Sequence, residues 1–103
     1  MAGWPSSTSA LVELQQALAR DRPEPWDRPA AEVPVGGCAA CSLRRAPGPG
    51  AAGDPAWAAA VVLERGRVTG SAACRGAAGA AFAPGLLALR EGPLLEEVVR
   101  RLP

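Results

Sequence analysis

The chain has 103 residues and a formal net charge of +1, so it is long enough for one small domain and carries no strong overall field. All eleven basic residues are Arg, and there is no Lys, His, Tyr, Asn or Ile. Without His, this chain cannot build a Ser-His-Asp or Cys-His catalytic pair or a Cys₂His₂ zinc site. Without Lys, it has no Schiff-base or P-loop lysine. Nucleic-acid binding would therefore have to rely on a local Arg cluster.

The composition predicts a thin hydrophobic core. Leu, Val and Phe together make up about a fifth of the chain, close to the level at which disorder becomes common. Gly and Pro are abundant, at 12 and 11 residues. The balanced charge favours folding, because disordered chains usually combine low hydrophobicity with self-repulsion. We expect marginal stability for the chain alone, or stability that depends on more chain or on a partner.

The N-terminal sequence and the cysteines indicate a cellular compartment. The first residues lack the basic stretch and apolar run of a secretory signal, and no apolar stretch reaches the roughly 18 residues that span a membrane. Because cytoplasmic proteins keep their thiols reduced, we expect the three cysteines to be free. The simplest expectation is a cytoplasmic chain with no membrane association.

Residues 1–32 are predicted to form an N-terminal helix and a Pro-rich lead-in. Ser9 is expected to cap a helix over residues 10–20. One apolar face of that helix would be formed by Leu11, Leu14 and Leu18. A Pro-rich connection then leads to a second region, residues 33–103.

The second region opens with three predicted strands. Residues 33–43 alternate as a strand does, with one parity formed by Val33, Val35, Ala39, Cys41 and Leu43. A Gly/Pro-rich loop leads to an apolar strand over residues 57–63. A tight turn at Arg65-Gly66 then leads to a strand at about residues 67–75. Strands that follow one another this closely are predicted to pair as an antiparallel meander.

The C-terminal part is predicted to be helical. A short helical turn over residues 86–91 is expected to be broken by Gly92-Pro93, with Pro93 at the first position of a new helix. The apolar stripe of that helix would be formed by Leu94, Leu95, Val98, Val99 and Leu102.

The pair Cys38 and Cys41 has the C-x-x-C spacing of redox and zinc sites. In a strand, the two residues would point to opposite faces about 10 Å apart, whereas a disulfide needs Cα atoms within about 7 Å. A redox pair normally opens a helix, but the Gly/Pro-rich loop follows here. We therefore expect small apolar strand residues, with a thiol redox protein as the less favoured alternative.

Five arginines surround the predicted strands: Arg44, Arg45, Arg65, Arg67 and Arg75. Arginines at strand ends can contact phosphate. They can also simply keep loops soluble, and that interpretation is favoured here.

The segment Phe82–Pro93 combines a loop, a Pro-Gly pair and a charged turn. Phe82 is the only Phe. In a loop it could stack on a nucleic-acid base or plug the space beneath the loop. The segment resembles the signature of the endonuclease V family of repair nucleases, aromatic-x-Pro-Gly-Leu-Leu-x-Phe-Arg-Glu-Gly-Pro. It matches at Pro84–Leu87 and at Arg90–Pro93, and the resemblance extends over about residues 33–103.

This resemblance implies a partial ribonuclease-H-like α/β fold, a three-stranded antiparallel meander with flanking helices. It implies Mg²⁺-dependent cleavage of DNA or RNA strands near deaminated purines such as hypoxanthine. Glu91 would correspond to the catalytic, metal-binding Glu of the family. Phe82, Ala83 and Pro84 would correspond to the wedge that enters the strand, with Phe replacing the usual Tyr. The backbone of Gly85 and Leu86 would line the pocket for the extruded base.

The sequence departs from the family at its metal ligands. Where the family has Gly-x-Asp at the end of the first strand, this chain has Gly36-Gly37-Cys38, and a thiol does not suit Mg²⁺. The resemblance also covers only the first half of a family member, without its second metal-binding Asp and its catalytic Lys. We therefore expect no nuclease activity from this chain alone, and the missing C-terminal half is a possible partner. The competing class is a small non-enzymatic interaction module that pairs with the sheet edge of a partner.

Overall fold

The computed structural model describes residues 3–45 and 47–103. In chain order, it contains helix α1 (Thr8–Arg20), strands β1 (Val35–Ser42), β2 (Pro55–Glu64) and β3 (Arg67–Ala77), and helix α2 (Leu87–Arg100). The strands form one antiparallel sheet in the order β1-β2-β3, so the predicted meander is confirmed. Helix α2 lies across one face and contacts all three strands, while α1 contacts α2. None of the helices in the described part of the chain is long and apolar enough to cross a membrane.

Helix α1 begins earlier than the sequence predicts. Its N-cap is Ser7, whose side chain accepts a hydrogen bond from the amide of Ala10, and Ser9 lies inside the first turn. The extended backbone of Ser7, with ψ of 154°, lets its hydroxyl reach that amide. Of the predicted apolar face, Leu11 is buried whereas Leu18 is 62% exposed. The packed part of α1 is therefore its N-terminal half.

The face of the sheet beneath α2 is made of small side chains. Because side chains alternate along a strand, the even-numbered residues of β1 and β2 share this face. The core between sheet and helix consists of Ala56, Ala58, Ala60, Cys74, Leu94 and Val98. Alanines let the helix approach the sheet closely, and Val98, the only one of these with no exposed surface, fills the space between them.

The opposite face of the sheet is uncovered and carries larger apolar side chains. We call it the open face. Its large apolar members are 38–62% exposed: Val35, Leu43, Trp57, Val61, Leu63 and Val68. The odd-numbered residues of the first strand do share one face, as predicted, but that face is the open face and not the one covered by α2. The residues of β1 that face α2 are Cys38, Ala40 and Ser42.

Helix α2 is continuous, so the prediction of a break at Gly92-Pro93 is wrong. Pro93 lies inside the helix and, having no N–H, leaves the carbonyl of Leu89 without its helical donor. The backbone of Gly79 packs against this turn and donates its N–H to the carbonyl of Arg90 at 3.0 Å. A side chain at Gly79 would collide with the Leu89 carbonyl oxygen. The segment that contains Gly79 therefore packs closely against the turn of α2 that precedes Pro93.

The close approach of α2 to the sheet predicts an asymmetric response to enlarged side chains on β2. Ala60→Leu should destabilise the fold by about 1–3 kcal/mol, because Ala60 is 2% exposed beneath the helix. Ala59→Leu, on the open face of the same strand, should change stability little. Urea unfolding followed by circular dichroism measures both free energies. Equal losses would contradict the two-faced description.

Candidate functional site

Several predicted site residues line one groove. It lies between the end of β1 and the beginning of α2 and has a volume of about 230 Å³. Phe82 and Glu91 both line it. The other lining residues are Ser42, Arg44, Pro49 and Arg90. The fold thus brings an aromatic ring, a carboxylate and an arginine to one concave surface.

The loop Phe82–Leu86 is held by one internal hydrogen bond and by hydrogen bonds to two other segments. The amide of Phe82 donates to the carbonyl of Pro49 at 2.9 Å. Within the loop, the amide of Leu86 donates to the carbonyl of Ala83 at 3.0 Å. The backbone of Gly85 has φ of +77°, a left-handed conformation that glycine adopts without strain. Its carbonyl accepts a hydrogen bond from the side chain of Gln15 in α1 at 2.8 Å. The loop is therefore anchored to the fold.

The side chain of Phe82 is 49% exposed. The ring therefore does not fill the space beneath the loop, as one of the two sequence-based interpretations proposed. An exposed ring on an anchored loop is available for stacking on a flat partner.

A buried ion pair lies behind the groove. Arg90 Nη2 donates to Asp54 Oδ2 at 3.1 Å, and both side chains are about 5% exposed. Arg90 Nη1 donates to the carbonyl of Ala80 at 2.7 Å, and the Asp54 carboxylate accepts the amide of Ala51 at 2.8 Å. The pair thereby connects the loop before β2, the segment before Phe82 and the first turns of α2.

The sequence alone did not identify Asp54 as a residue of the candidate site. The available signal was an acid in a Gly-rich loop directly before an apolar strand, a place where Asp commonly binds backbone amides. The amide of Ala51 and the guanidinium of Arg90 hold the pKa of Asp54 below its ordinary value, although burial opposes this shift. The carboxylate is therefore ionised at neutral pH and available to neutralise Arg90.

The carboxylate donors of the groove do not fit a Mg²⁺ site. Glu91 is the only carboxylate among the groove-lining residues, and Asp54 is bound to Arg90. Among residues 3–45 and 47–103, no three His, Cys, Asp or Glu side chains lie together. Mg²⁺ requires several oxygen ligands in octahedral geometry, so this chain does not supply a complete site.

Cys38 and Glu91 lie on the same side of the sheet. Cys38 faces α2 and lines a separate groove with Leu95 and Val99, and Leu95 is one helical turn beyond Glu91. Cys41 pairs with Trp57 and points to the open face, so the C-x-x-C residues lie on opposite faces as alternation predicts. Both thiols are exposed and free, while Cys74 is buried and free.

The predicted group of arginines is dispersed. Arg44 lines the groove, and its side chain donates to the carbonyl of Gly48. Arg65 is in the β2–β3 turn, at the other end of the sheet, and forms an exposed ion pair with Glu32. Arg75 pairs with Trp57 across β2 and β3. Arg44 is thus the member of the predicted group that lines the groove.

The chain has the α/β, ribonuclease-H-like arrangement of an antiparallel meander with flanking helices that the resemblance implies. The chain is similar to a crystal structure of an endonuclease V from Streptomyces avermitilis, with a TM-score of 0.75 and 28% sequence identity. The match covers 100% of this chain but 43% of that chain, so this chain spans less than half the length of its neighbour. No family model and no curated protein matches the sequence.

The lowered pKa of Asp54 predicts how stability depends on pH. A carboxyl with a lowered pKa in the folded state stabilises above its ordinary value of 3.8, and this contribution is lost as the pH falls through the lowered pKa. Asp54→Asn should therefore lower the melting temperature at pH 7 by about 5 °C or more, with the difference shrinking in acid.

Thermal unfolding between pH 2.5 and 7 measures this effect. Asp27→Asn, in the exposed Pro-rich segment, is the control and should follow the parent curve. A constant difference between parent and Asp54→Asn at all pH values would contradict the role given to the ionised carboxylate.

Proposed function

We propose that this chain is the strand-gripping part of an endonuclease V-like repair nuclease that acts on DNA or RNA containing deaminated purines such as hypoxanthine. The observation that carries the proposal is the groove in which an exposed Phe82, Glu91 and Arg44 meet. The likeness to an endonuclease V at 28% identity supports it. The unit proposed to carry this function is residues 33–103, with residues 1–32 as its helix and lead-in.

The loop Phe82–Leu86 has the properties that a wedge requires. A ring that enters a base stack must be exposed, and the segment that carries it must not yield when the bases are forced apart. Phe82 meets the first condition, and the hydrogen bonds from its amide to Pro49 and from Gln15 to Gly85 meet the second. Ala83 and Pro84 complete the proposed wedge, and the backbone of Gly85 and Leu86 would contact the extruded base.

Two arginines have different proposed roles in strand binding. Arg44 is exposed at the rim of the groove, where its guanidinium can approach a backbone phosphate. Arg90 is buried and neutralised by Asp54, so its proposed role is to position the loop and the first turns of α2. Glu91 follows Arg90 directly and is thereby held at the groove.

Strand cleavage requires more than this chain supplies. The proposed role of Glu91 is that of one catalytic metal ligand, with Mg²⁺ as the expected ion. Its groove offers no second carboxylate. In our proposal, the remaining ligands come from the part of an endonuclease V-like protein that this chain does not span, acting as its partner.

Truncation of the proposed wedge should weaken strand binding. Phe82→Ala should reduce the affinity for an inosine-containing single strand about tenfold, because it removes one stacking contact. Trp26→Ala is the matched control, since Trp26 is 73% exposed in the Pro-rich lead-in. Fluorescence anisotropy with labelled inosine and adenosine strands measures both. Equal effects of the two substitutions would contradict the proposed wedge.

The incomplete ligand set predicts binding without turnover. The purified chain, incubated with an inosine-containing strand and Mg²⁺ or Mn²⁺, should leave the strand intact, because one carboxylate does not hold a catalytic cation. Gel electrophoresis of the end-labelled strand is the measurement. Specific nicking that disappears in Glu91→Ala would show that the chain is complete as a nuclease.

A further inference from the structure

We propose that residues 4–20, called here the N-terminal segment, hold the loop Phe82–Leu86 in one position relative to α2, and that Gln15 is a positioning residue for strand recognition. The role in recognition rests on the proposed function, whereas the hold on the loop does not. The segment makes two contacts with the chain, one before and one after Glu91 in sequence.

The first contact is made by Gln15 with a single peptide group of the loop. Gln15 Nε2 donates to the carbonyl of Gly85 at 2.8 Å. The amide at the other end of the same peptide, that of Leu86, donates to the carbonyl of Ala83 at 3.0 Å. Both polar groups of this peptide are therefore bound within the chain. Because the bond from Gln15 comes from outside the loop, it fixes the direction of the peptide relative to the rest of the fold.

The conformation of Gly85 depends on this outside bond. A glycine adopts many backbone conformations at little cost, so the residue itself does not fix its φ of +77°. Apart from its two chain neighbours, no described residue lies within 4 Å of the position that a Cβ on Gly85 would occupy. Packing therefore does not restrict the glycine, and the hydrogen bond to its carbonyl selects one conformation among those open to it.

The second contact is made by Trp4 with α2. A Cβ on Gly92 would lie 2.6 Å from a carbon of the Trp4 ring, so the ring packs directly on the helix backbone at this glycine. The indole N–H of Trp4 also donates to the carboxylate of Glu96, about one helical turn further along. Ring packing and a hydrogen bond together hold the beginning of the N-terminal segment on α2.

Helix α1 connects these two contacts. It begins after its N-cap Ser7, close behind Trp4 in sequence, and continues beyond Gln15. Leu11, which lies between the two contacts in sequence, is buried, and α1 contacts α2. Because the backbone of a helix is held by its own hydrogen bonds, the segment sets the position of the loop relative to α2.

Strand recognition is the step that this position affects. Phosphate contacts hold a strand without reading its sequence, whereas contacts with a base edge depend on the direction of each donor and acceptor. The backbone of Gly85 and Leu86 is the part of the loop proposed to contact the base. Loss of the bond from Gln15 should therefore reduce the preference for an inosine-containing strand more than the affinity for strands in general.

Gln15→Glu and Gln16→Glu form a matched pair of variants. Both replace an exposed glutamine of α1 by an acid of the same shape, and of the two, Gln15 is the one that binds the loop carbonyl. At pH 7 the new carboxylate has no proton to donate to Gly85, so the bond is lost. Hydrogen exchange of the Leu86 amide, followed by NMR, should become about fivefold faster in Gln15→Glu and stay unchanged in Gln16→Glu.

The same two variants are then compared in strand binding. Fluorescence anisotropy gives the ratio of the affinities for inosine-containing and adenosine-containing strands. This ratio should be about fivefold lower in Gln15→Glu than in Gln16→Glu, with equal affinities for the adenosine strand. The melting temperatures of the two variants should agree, because both side chains are exposed. A merely structural residue would lower the melting temperature and leave the ratio unchanged.

A double-substitution cycle tests whether Trp4 and Gln15 act together. Trp4→Ala should also speed exchange of the Leu86 amide, because it releases the beginning of the N-terminal segment from α2. Adding Gln15→Glu to Trp4→Ala should then cause little further change. Trp26→Ala, which removes a 73% exposed ring from the Pro-rich lead-in, is the control and should leave the exchange rate unchanged.

Three results would overturn the proposal. The first is equal exchange of the Leu86 amide in Gln15→Glu and Gln16→Glu. The second is full additivity of Trp4→Ala and Gln15→Glu, which would make the two contacts independent. The third is faster exchange in Gln15→Glu with an unchanged affinity ratio, in a parent chain that prefers the inosine strand.

Hydrogen exchange requires no strand, so this inference and the proposed function fail separately. Faster exchange in Gln15→Glu, in a parent chain without preference for the inosine strand, would reject the proposed function and retain the hold on the loop. Preference for that strand in the parent chain, with equal exchange in the two variants, would retain the proposed function and reject this inference.

Discussion

The buried ion pair between Asp54 and Arg90 is the interaction on which the candidate site depends. Two opposite charges are removed from water behind the groove, and each also forms a hydrogen bond with the backbone, Asp54 with the amide of Ala51 and Arg90 with the carbonyl of Ala80. Such a pair tolerates little rearrangement, because separation would leave a buried charge without a partner. It therefore fixes the relative positions of three segments that are distant in sequence, and the groove is the surface that they form together.

The sheet beneath this groove has an unequal distribution of side chains. Alanines under α2 allow close packing but bury little apolar area for each residue, whereas Trp57, Val61 and Leu63 are 38–42% exposed and lie outside the core formed by the described residues. This distribution accounts for the thin core expected from the composition.

Holding a strand and cutting it place different demands on a site. The proposed binding of a strand requires an exposed ring, a cation at the rim and an anchored loop, and Phe82, Arg44 and Gly85 are the residues proposed to supply them at or beside one groove. Metal-assisted cleavage requires several carboxylates around one ion, but Glu91 is the only carboxylate among the residues that line the groove. Cys38 faces the same side of the sheet, but its thiol is a poor ligand for a hard cation.

The ribonuclease-H-like class was implied by a resemblance to the endonuclease V signature. The sequence by itself determined the three strands and their pairing as a meander, because alternation and short connections leave few other topologies. It also indicated that Phe82–Pro93 was the informative segment. Only the tertiary structure decided which face α2 covers, since alternation defines two faces without ranking them. The same holds for the partner of Arg90, because Asp54 is far away in sequence. The continuity of α2 through Pro93 was also seen only in the structure, because Gly92-Pro93 by itself is typical of a helix break.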